Sequence, residues 1–201
     1  MQSLALTYGL DVNVNTRKLT GEGAVQMYPI FRMAKEFIAH RNAPALKPGD
    51  THVSHHICWP WDIDPWMELN NGRTLTLFDL GRLVMLKRCG AVSALAKHKW
   101  GATVAGSSVR YRARVRMFQR VRVTSQIVGA DQRFNYITQE MWRGETCTSQ
   151  SLLRIAITDK NGIVPSEKVR VAMKMEDLPQ PPDWVVAWTD AEATRPWPPN
   201  A

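Results

Sequence analysis

Two carboxylates four residues apart, Asp64 and Glu68, sit in an acidic, aromatic stretch from Trp59 to Arg73 that runs straight into an apolar segment. A carboxylate just ahead of a helix start can act as a nucleophile, or as a general base for water. The first backbone N–H groups of that helix have no partner within it, and they can polarise a carbonyl placed beside them. Asn70-Asn71 is the start signal, because a side-chain amide oxygen caps a helix well. Asn71, Gly72 and Arg73 form the first turn after that cap. Asp62 and Asp79 are reserve carboxylates, although Arg82 stands three residues beyond Asp79 at a spacing that permits a pair. His52 and His56 share one face of a short strand, with His55 on the other. No clustered Cys, Asp or Glu ligands lie in that stretch from His52 to Trp59, so surface or half-buried histidines are expected rather than a metal site. The three cysteines, Cys58, Cys89 and Cys147, are odd in number and widely spaced. That pattern suggests neither a disulfide framework nor a metal cluster, and it fits reduced thiols in a cytoplasmic protein.

These side chains need a helix to present them. Leu75, Leu77, Phe78, Leu80, Leu83, Val84, Met85 and Leu86 leave no wide polar face, and a helix of that kind is normally buried. Lys87 and Arg88 suit its last turn and Gly90 its stop. Upstream, Ile30, Met33, Ala34, Phe37 and Ile38 recur at helical spacing, with Pro29 near the first turn, and predict an amphipathic helix. Residues 1–23 read as an arm or loose strand, and residues 41–50, with Pro44, Pro48 and Gly49, as a loop. Ala91 to Lys97 predicts a short second helix. From Gly101 to Asp159 the period falls to two, broken by turn signals at 129–131 and 143–145. That predicts strands from about 102 through 118 to 128, over 133–142 and over 145–158, antiparallel because the connections are short. A last helix begins near Ser166. The Pro- and Trp-rich tail predicts little regular structure, packed across the sheet or near a pocket mouth. One apolar helix and a run of long antiparallel strands make an α+β fold, with the sheet curved around the helix. The expected organisation is an N-terminal arm and helix (1–50), a main domain (51–175) and a tail (176–201).

A chain of 201 residues with 44% hydrophobic and 22% charged residues fits one ordinary globular domain. No apolar run approaches the roughly 20 residues of a membrane span, and the N-terminus lacks the pattern of a signal peptide. The net charge of +8 favours anionic partners. From Val109 to Met117 the chain alternates, with Arg110, Arg112, Arg114 and Arg116 opposite an apolar face. Like charges side by side are unfavourable unless something neutralises them. An acidic subunit surface or a polyphosphate ligand would do so. Tyr111 falls on the apolar face, so the stacking platform of a single-strand binder is missing and nucleic acid is not the expected partner.

The stretch Asp64-Pro65-Trp66-Met67-Glu68-Leu69-Asn70-Asn71-Gly72-Arg73 resembles the D-x-x-x-H-x-N-N-x-R-Y segment of hotdog-fold acyl-CoA thioesterases, the 4-hydroxybenzoyl-CoA thioesterase-like group. The resemblance continues through Phe78-Asp79-Leu80-Gly81-Arg82 and Arg88-Cys89-Gly90 to about Asp159, nearest the subgroup around thioesterase superfamily member six. It implies a hotdog fold, a homodimer or dimer of dimers with sites at the subunit interface, no cofactor, and hydrolysis of an acyl-CoA. Asp64 matches the family's catalytic aspartate, so the implied role is nucleophile or general base. By the same resemblance Asn71, Gly72 and Arg73 supply the open donors at the polarising helix end, and Gly72 lets the ligand approach closely. Asp79 and Glu68 are further candidate acids, and Asn70, Arg73, Arg110, Arg112 and Arg114 candidate substrate contacts, with the arginines on the CoA phosphates. The chain departs from the pattern at three places: Glu68 replaces the histidine, Met67 the glycine before it, and Thr74 the tyrosine. Two neighbouring carboxylates raise the pKa of one of them, and an anionic loop opposes a polyanionic substrate. A hotdog protein that binds an acyl ligand without turnover is therefore the alternative. A hydratase would want a histidine that this loop lacks.

Overall fold

The computed structural model describes residues 29–196 and residue 198. The arm expected over residues 1–23 lies outside the described residues, as does Trp197.

The strands β1 (Thr51–Ile57), β2 (Gly101–Tyr111), β3 (Arg120–Ala130), β4 (Phe134–Arg143) and β5 (Thr146–Asp159) pair antiparallel in the order β1-β3-β4-β5-β2, and a short β6 (Gly162–Ile163) pairs with β5. The helices are α1 (Ile30–Ala39), α2 (Asn71–Arg88), α3 (Ala91–His98), α4 (Ser166–Met173) and α5 (Asp183–Ala193). The sheet curls as a half-barrel about α2, the hotdog arrangement that the sequence implies.

Two-residue alternation sorts the sheet into faces. Ile137, Met141, Leu153 and Ile155 point inward, while Tyr136 and Leu152 point outward. Leu77, Phe78 and Leu80 of α2 pack with Val121, Val123 and Met141 at one end, and Met85 packs with Ile137, Leu153 and Ile155 at the other. Gly81 sets the closeness of this contact. A Cβ there would meet the hydroxyls of Ser54 and Ser125 at 3.0 and 3.3 Å.

Three expectations fail for physical reasons. The strand foreseen through residue 118 stops at Tyr111. The Arg112 and Ala113 N–H groups both donate to the Thr148 carbonyl, at 2.8 and 3.1 Å, so two residues face one and the ladder breaks. Val115 then turns inward, 4% exposed, and its carbonyl accepts from Leu69 N–H at 2.8 Å. The arginines beyond Tyr111 therefore do not form a sheet face. The tail is not irregular either. The Pro-free run after Pro182 forms α5, whose Val185 is sealed against Tyr136 and Leu152 on the outer face of the sheet. Finally, α1 buries only part of the apolar side foreseen for it: Met33 packs against the core and Phe37 is half-buried, while Ala34 and both isoleucines face outward. Ile30 and Ile38 are 51% and 60% exposed, whereas Glu36 is 1% exposed. Ion pairs share in setting its orientation: Arg32 reaches Asp62, and Glu36 lies 3.8 Å from both His40 and His56.

Candidate active site

The turn before α2 is closed rung by rung. Asn70 N–H donates to the Asp62 carbonyl at 2.9 Å, Ile63 and Leu69 form a bridge, and Asp64 N–H donates to the Glu68 carbonyl at 2.9 Å. Inside it, Asp64 Oδ1 accepts from the Trp66 and Glu68 amides at 2.9 and 3.3 Å. A short carboxylate that bonds amides two and four residues on fixes its own turn. Its second oxygen, Oδ2, receives no hydrogen bond among the described residues. Met67 completes the turn at φ +59°, the left-handed conformation that glycine adopts at no cost. It is the residue that stands where related loops carry glycine.

Asn70 caps α2 as foreseen. Its Oδ1 accepts from the Gly72 and Arg73 amides at 2.8 and 3.3 Å. Two of the three donors expected to be open are therefore occupied, and a Cβ on Gly72 would crowd that cap oxygen at 3.2 Å. Asn71 N–H keeps no partner among the described residues. Asn71 lines a cleft of about 190 Å³ together with Glu68, Leu69, Thr74, Tyr111, Arg112, Ala113, Arg114, Val115, Met141, Thr148 and Ser149.

The cleft gathers some of the candidates and leaves others out. Glu68 and Arg114 meet across it at 2.8 Å, as an ion pair not aligned as a hydrogen bond. Arg112 lines the wall, and Tyr111, foreseen on the core face, lines it too at 44% exposure. Asp64 is half-buried beside the cleft and not in its lining, and Arg110 is exposed at the end of β2. Arg73 leans on Asp62 at 3.7 Å. Asp79 pairs with Arg82, whose other nitrogen donates to Gln139 at 2.8 Å, which ties that acid to the sheet. Thr148 and Ser149 were missed. The hydroxyl-rich run Thr146-Cys147-Thr148-Ser149 was their only signal, and it is indistinguishable from strand polarity.

The reserve acid Asp62 is closed. At 1% exposure it accepts from Arg32 at 3.1 and 2.9 Å and from Trp59 N–H at 2.9 Å. Two of the strand histidines are core residues rather than surface ones, His52 at 0% and His56 at 4% exposure, while His55 on the other face is exposed. Burial, helped by neighbouring cations, holds them well below the usual imidazole range, at about 4 and about 3. Ser54 Oγ lies 2.9 Å from His56 Nε2, and Glu36 lies 3.8 Å from Nδ1. That is the order of a nucleophile, base and acid, but all three are sealed from solvent and no substrate can enter. Among the described residues, no group of three His, Cys, Asp or Glu side chains is placed to hold a metal. Burial also raises all three thiols, Cys58 to about 11, so none supplies a reactive thiolate. No helix among the described residues is long and apolar enough to cross a membrane.

Residues 58–189 match the profile of the thioesterase-like superfamily. Protein THEM6 of Drosophila melanogaster is 24% identical over 149 residues, covering 72% of this chain and 75% of the relative. Among solved structures, the probable thioesterase YbaW of Escherichia coli superposes with a TM-score of 0.58 at 16% identity, over 61% of this chain and 96% of that one. Slr0204 of Synechocystis, a 1,4-dihydroxy-2-naphthoyl-CoA thioesterase, gives 0.54 at 12% identity, over 65% and 100%. The profile spans the cleft, the central helix and every strand but β1, and the chain belongs to the thioesterase-like superfamily.

Proposed function

We propose that this chain hydrolyses acyl-CoA thioesters beside the N-terminus of α2, with Asp64 as nucleophile or general base. One observation supports the reading: Asn71, whose N–H has no partner among the described residues, lines a cleft with Glu68 beside the turn that Asp64 Oδ1 closes. The thioester carbonyl oxygen sits against Asn71 N–H, where the helix dipole favours developing negative charge. Gly72 and Arg73 already donate to Asn70, so Asn71 supplies the main polarisation. Asp64 Oδ1 is held by two amides, which aims the unpartnered Oδ2. That oxygen either attacks the carbonyl carbon, expelling the CoA thiolate and leaving a mixed anhydride for water to open, or takes the proton of an attacking water. Arg112 and Arg114 at the cleft offer cations to the phosphates of CoA. A second reading rests on the lining itself. Glu68 borders the cleft and Asp64 does not, which makes Glu68 the acting acid and Asp64 the residue that shapes its turn.

The sheet suggests a homodimer. β2 is an open edge strand, and residues 101–105 are exposed on both faces. An unpaired edge of that length is a template for a second strand. Two β2 edges pairing antiparallel would bring two clefts to one interface. A Val104→Lys substitution is expected to turn a dimer into a monomer in light scattering; an unchanged mass removes this edge as the interface. We place the protein in the cytoplasm, where its cysteines stay reduced.

Thiol release from a panel of acyl-CoAs, short, long and aromatic, tests the function. Turnover on any of them is the expected result. CoA binding with no turnover on the whole panel makes this a binding protein, and neither binding nor turnover overturns the reading.

A further inference from the structure

Two loops meet at the N-terminal end of α2. Residues 58–70 precede that helix, and residues 112–119 join β2 to β3. Cys58 N–H donates to the Gln119 carbonyl at 3.0 Å, Phe118 N–H to the Cys58 carbonyl at 2.6 Å, and Leu69 N–H to the Val115 carbonyl at 2.8 Å. The joined loops turn large apolar side chains outward. Trp61, Trp66, Met67 and Phe118 are each between 60% and 75% exposed. Trp59 stacks on Trp61 at 5.5 Å and meets Phe118 edge-on at 6.2 Å, so both loops contribute to one aromatic cluster. Single exposed apolar residues are ordinary, but a cluster of large ones marks a surface that meets something other than water.

Backbone conformation adds to the cost of that exposure. Among the described residues, four other than glycine hold a left-handed φ. Lys99 and Lys174 are the C-caps of α3 and α4, and Met67 and Phe118, at +59° and +63°, lie in these two loops. Glycine adopts that conformation freely and a bulky side chain does not. Neither Met67 nor Phe118 is buried in return. Charge around the cluster is one-sided. Arg112, Arg114, Arg116 and Arg120 are exposed, whereas Asp62 is buried and Asp64 and Glu68 are half-buried. Of the four arginines, only Arg114 has an ion-pair partner among the described residues, Glu68. The β4–β5 turn, whose Arg143 donates to the Arg114 carbonyl at 3.1 Å, adds one exposed acid, Glu145.

We propose that this end of the molecule docks on an anionic phospholipid surface, with Trp61, Trp66, Met67 and Phe118 entering the headgroup boundary and Arg116 and Arg120 on lipid phosphates. Tryptophan suits a boundary that is apolar on one side and wet on the other, and arginine's fork suits phosphate. A second copy of the chain is the poorer occupant, because a two-fold contact sets a patch against itself and would oppose these arginines to their own copies. Docking does not depend on the hydrolytic reading of the cleft.

Sedimentation of the whole chain with lipid vesicles tests it. Binding to vesicles of phosphatidylcholine and phosphatidylglycerol in equal parts is expected, with little binding to phosphatidylcholine alone. Trp61→Ser and Phe118→Gly leave the net charge unchanged, and each is expected to weaken binding about tenfold, the worth of one buried aromatic ring. Arg116→Gln and Arg120→Gln are each expected to weaken it about fivefold, and Asp64→Asn to leave it intact. No binding to the mixed vesicles overturns the proposal, as does binding that survives Trp61→Ser and Phe118→Gly together and so reflects net charge alone. A dimer mass in light scattering that those two substitutions abolish also overturns it and gives the patch to a second copy. Should Phe118→Gly not fold, Trp61→Ser and the arginine variants decide the matter, each at the parent's urea midpoint.

Discussion

The loop before α2 has two halves that carry the same chemistry and use it differently. In residues 59–63, Asp62 is sealed and both its oxygens are taken, by Arg32, Trp59 N–H and the approach of Arg73. In residues 64–69, Asp64 is half-buried, spends Oδ1 on two amides of its own turn and leaves Oδ2 open. Two aspartates two residues apart thus divide into a clamp and a turn former that keeps one oxygen unpartnered among the described residues. Neither residue type nor distance from the helix separates them; the number of partners does. The proposed function gives the second, not the first, to the substrate.

The widest gap between the halves should appear on removing each acid. Asp62→Ala leaves the Arg32 guanidinium facing a buried void and is expected to cost about 3–5 kcal/mol. Asp64→Ala loses a turn-forming acceptor and is expected to cost about 1 kcal/mol. Urea unfolding measures both, and equal losses would erase the distinction.

The closed half extends through Arg32 into α1 and the buried histidines, which predicts a pH response. His52 and His56 stay neutral in the fold down to about 4 and about 3, against 6.5 when unfolded. The unfolded chain therefore binds more protons between these values. Stability is complete above pH 6.5 and declines as the pH falls toward the folded values. At roughly 1.4 kcal/mol per pH unit per group, the pair is worth a few kcal/mol. The urea midpoint should drop clearly between pH 7 and 5, and His56→Asn should flatten that slope. A flat profile in the parent protein would mean that these rings are solvated.

Smaller effects sharpen the open half. Arg114→Ala should raise the KM for an acyl-CoA several-fold, on the order of 1 kcal/mol for an exposed ion pair. It should leave the KM for the matching acyl-pantetheine, which lacks the nucleotide phosphates, unchanged. A rise for both would put Arg114 on the acyl end instead. Met67→Gly should relieve the left-handed strain and stabilise by at most about 1 kcal/mol, since glycine also frees the unfolded chain.

The sequence carried α2 almost whole. The Asn70 cap, the terminal Lys87 and Arg88 and the junction at Gly90 all lie where local chemistry put them. The two-residue period likewise foretold the sheet. What escaped was set by tertiary partners. The Val109–Met117 alternation looked like one strand because period alone cannot see Thr148 accepting two amides. In α1 the apolar spacing foretold the packing of Met33 but not the exposure of Ile30 and Ile38, because the ion pairs of Arg32 and Glu36 share in setting the helix's orientation. The prolines of the tail masked α5, although Pro182 ahead of Asp183 is an ordinary helix start. At the site, Glu68, Asn71, Arg112 and Arg114 line one cleft, and Asp64 lies beside it rather than in its lining. The occupation of Gly72 and Arg73 by Asn70 was not legible, because one residue pair was read both as the cap and as the source of open donors.

The most direct test compares thiol release by Asp64→Asn and Glu68→Gln, each first shown to unfold at the parent's urea midpoint. With Asp64 as the acting carboxylate, Asp64→Asn lowers kcat by about 10²–10⁴, the usual worth of a positioned acid or base, while KM holds and Glu68→Gln keeps most of its turnover. Undiminished turnover in Asp64→Asn, with loss in Glu68→Gln, would contradict that assignment and move the chemistry to the residue that lines the cleft.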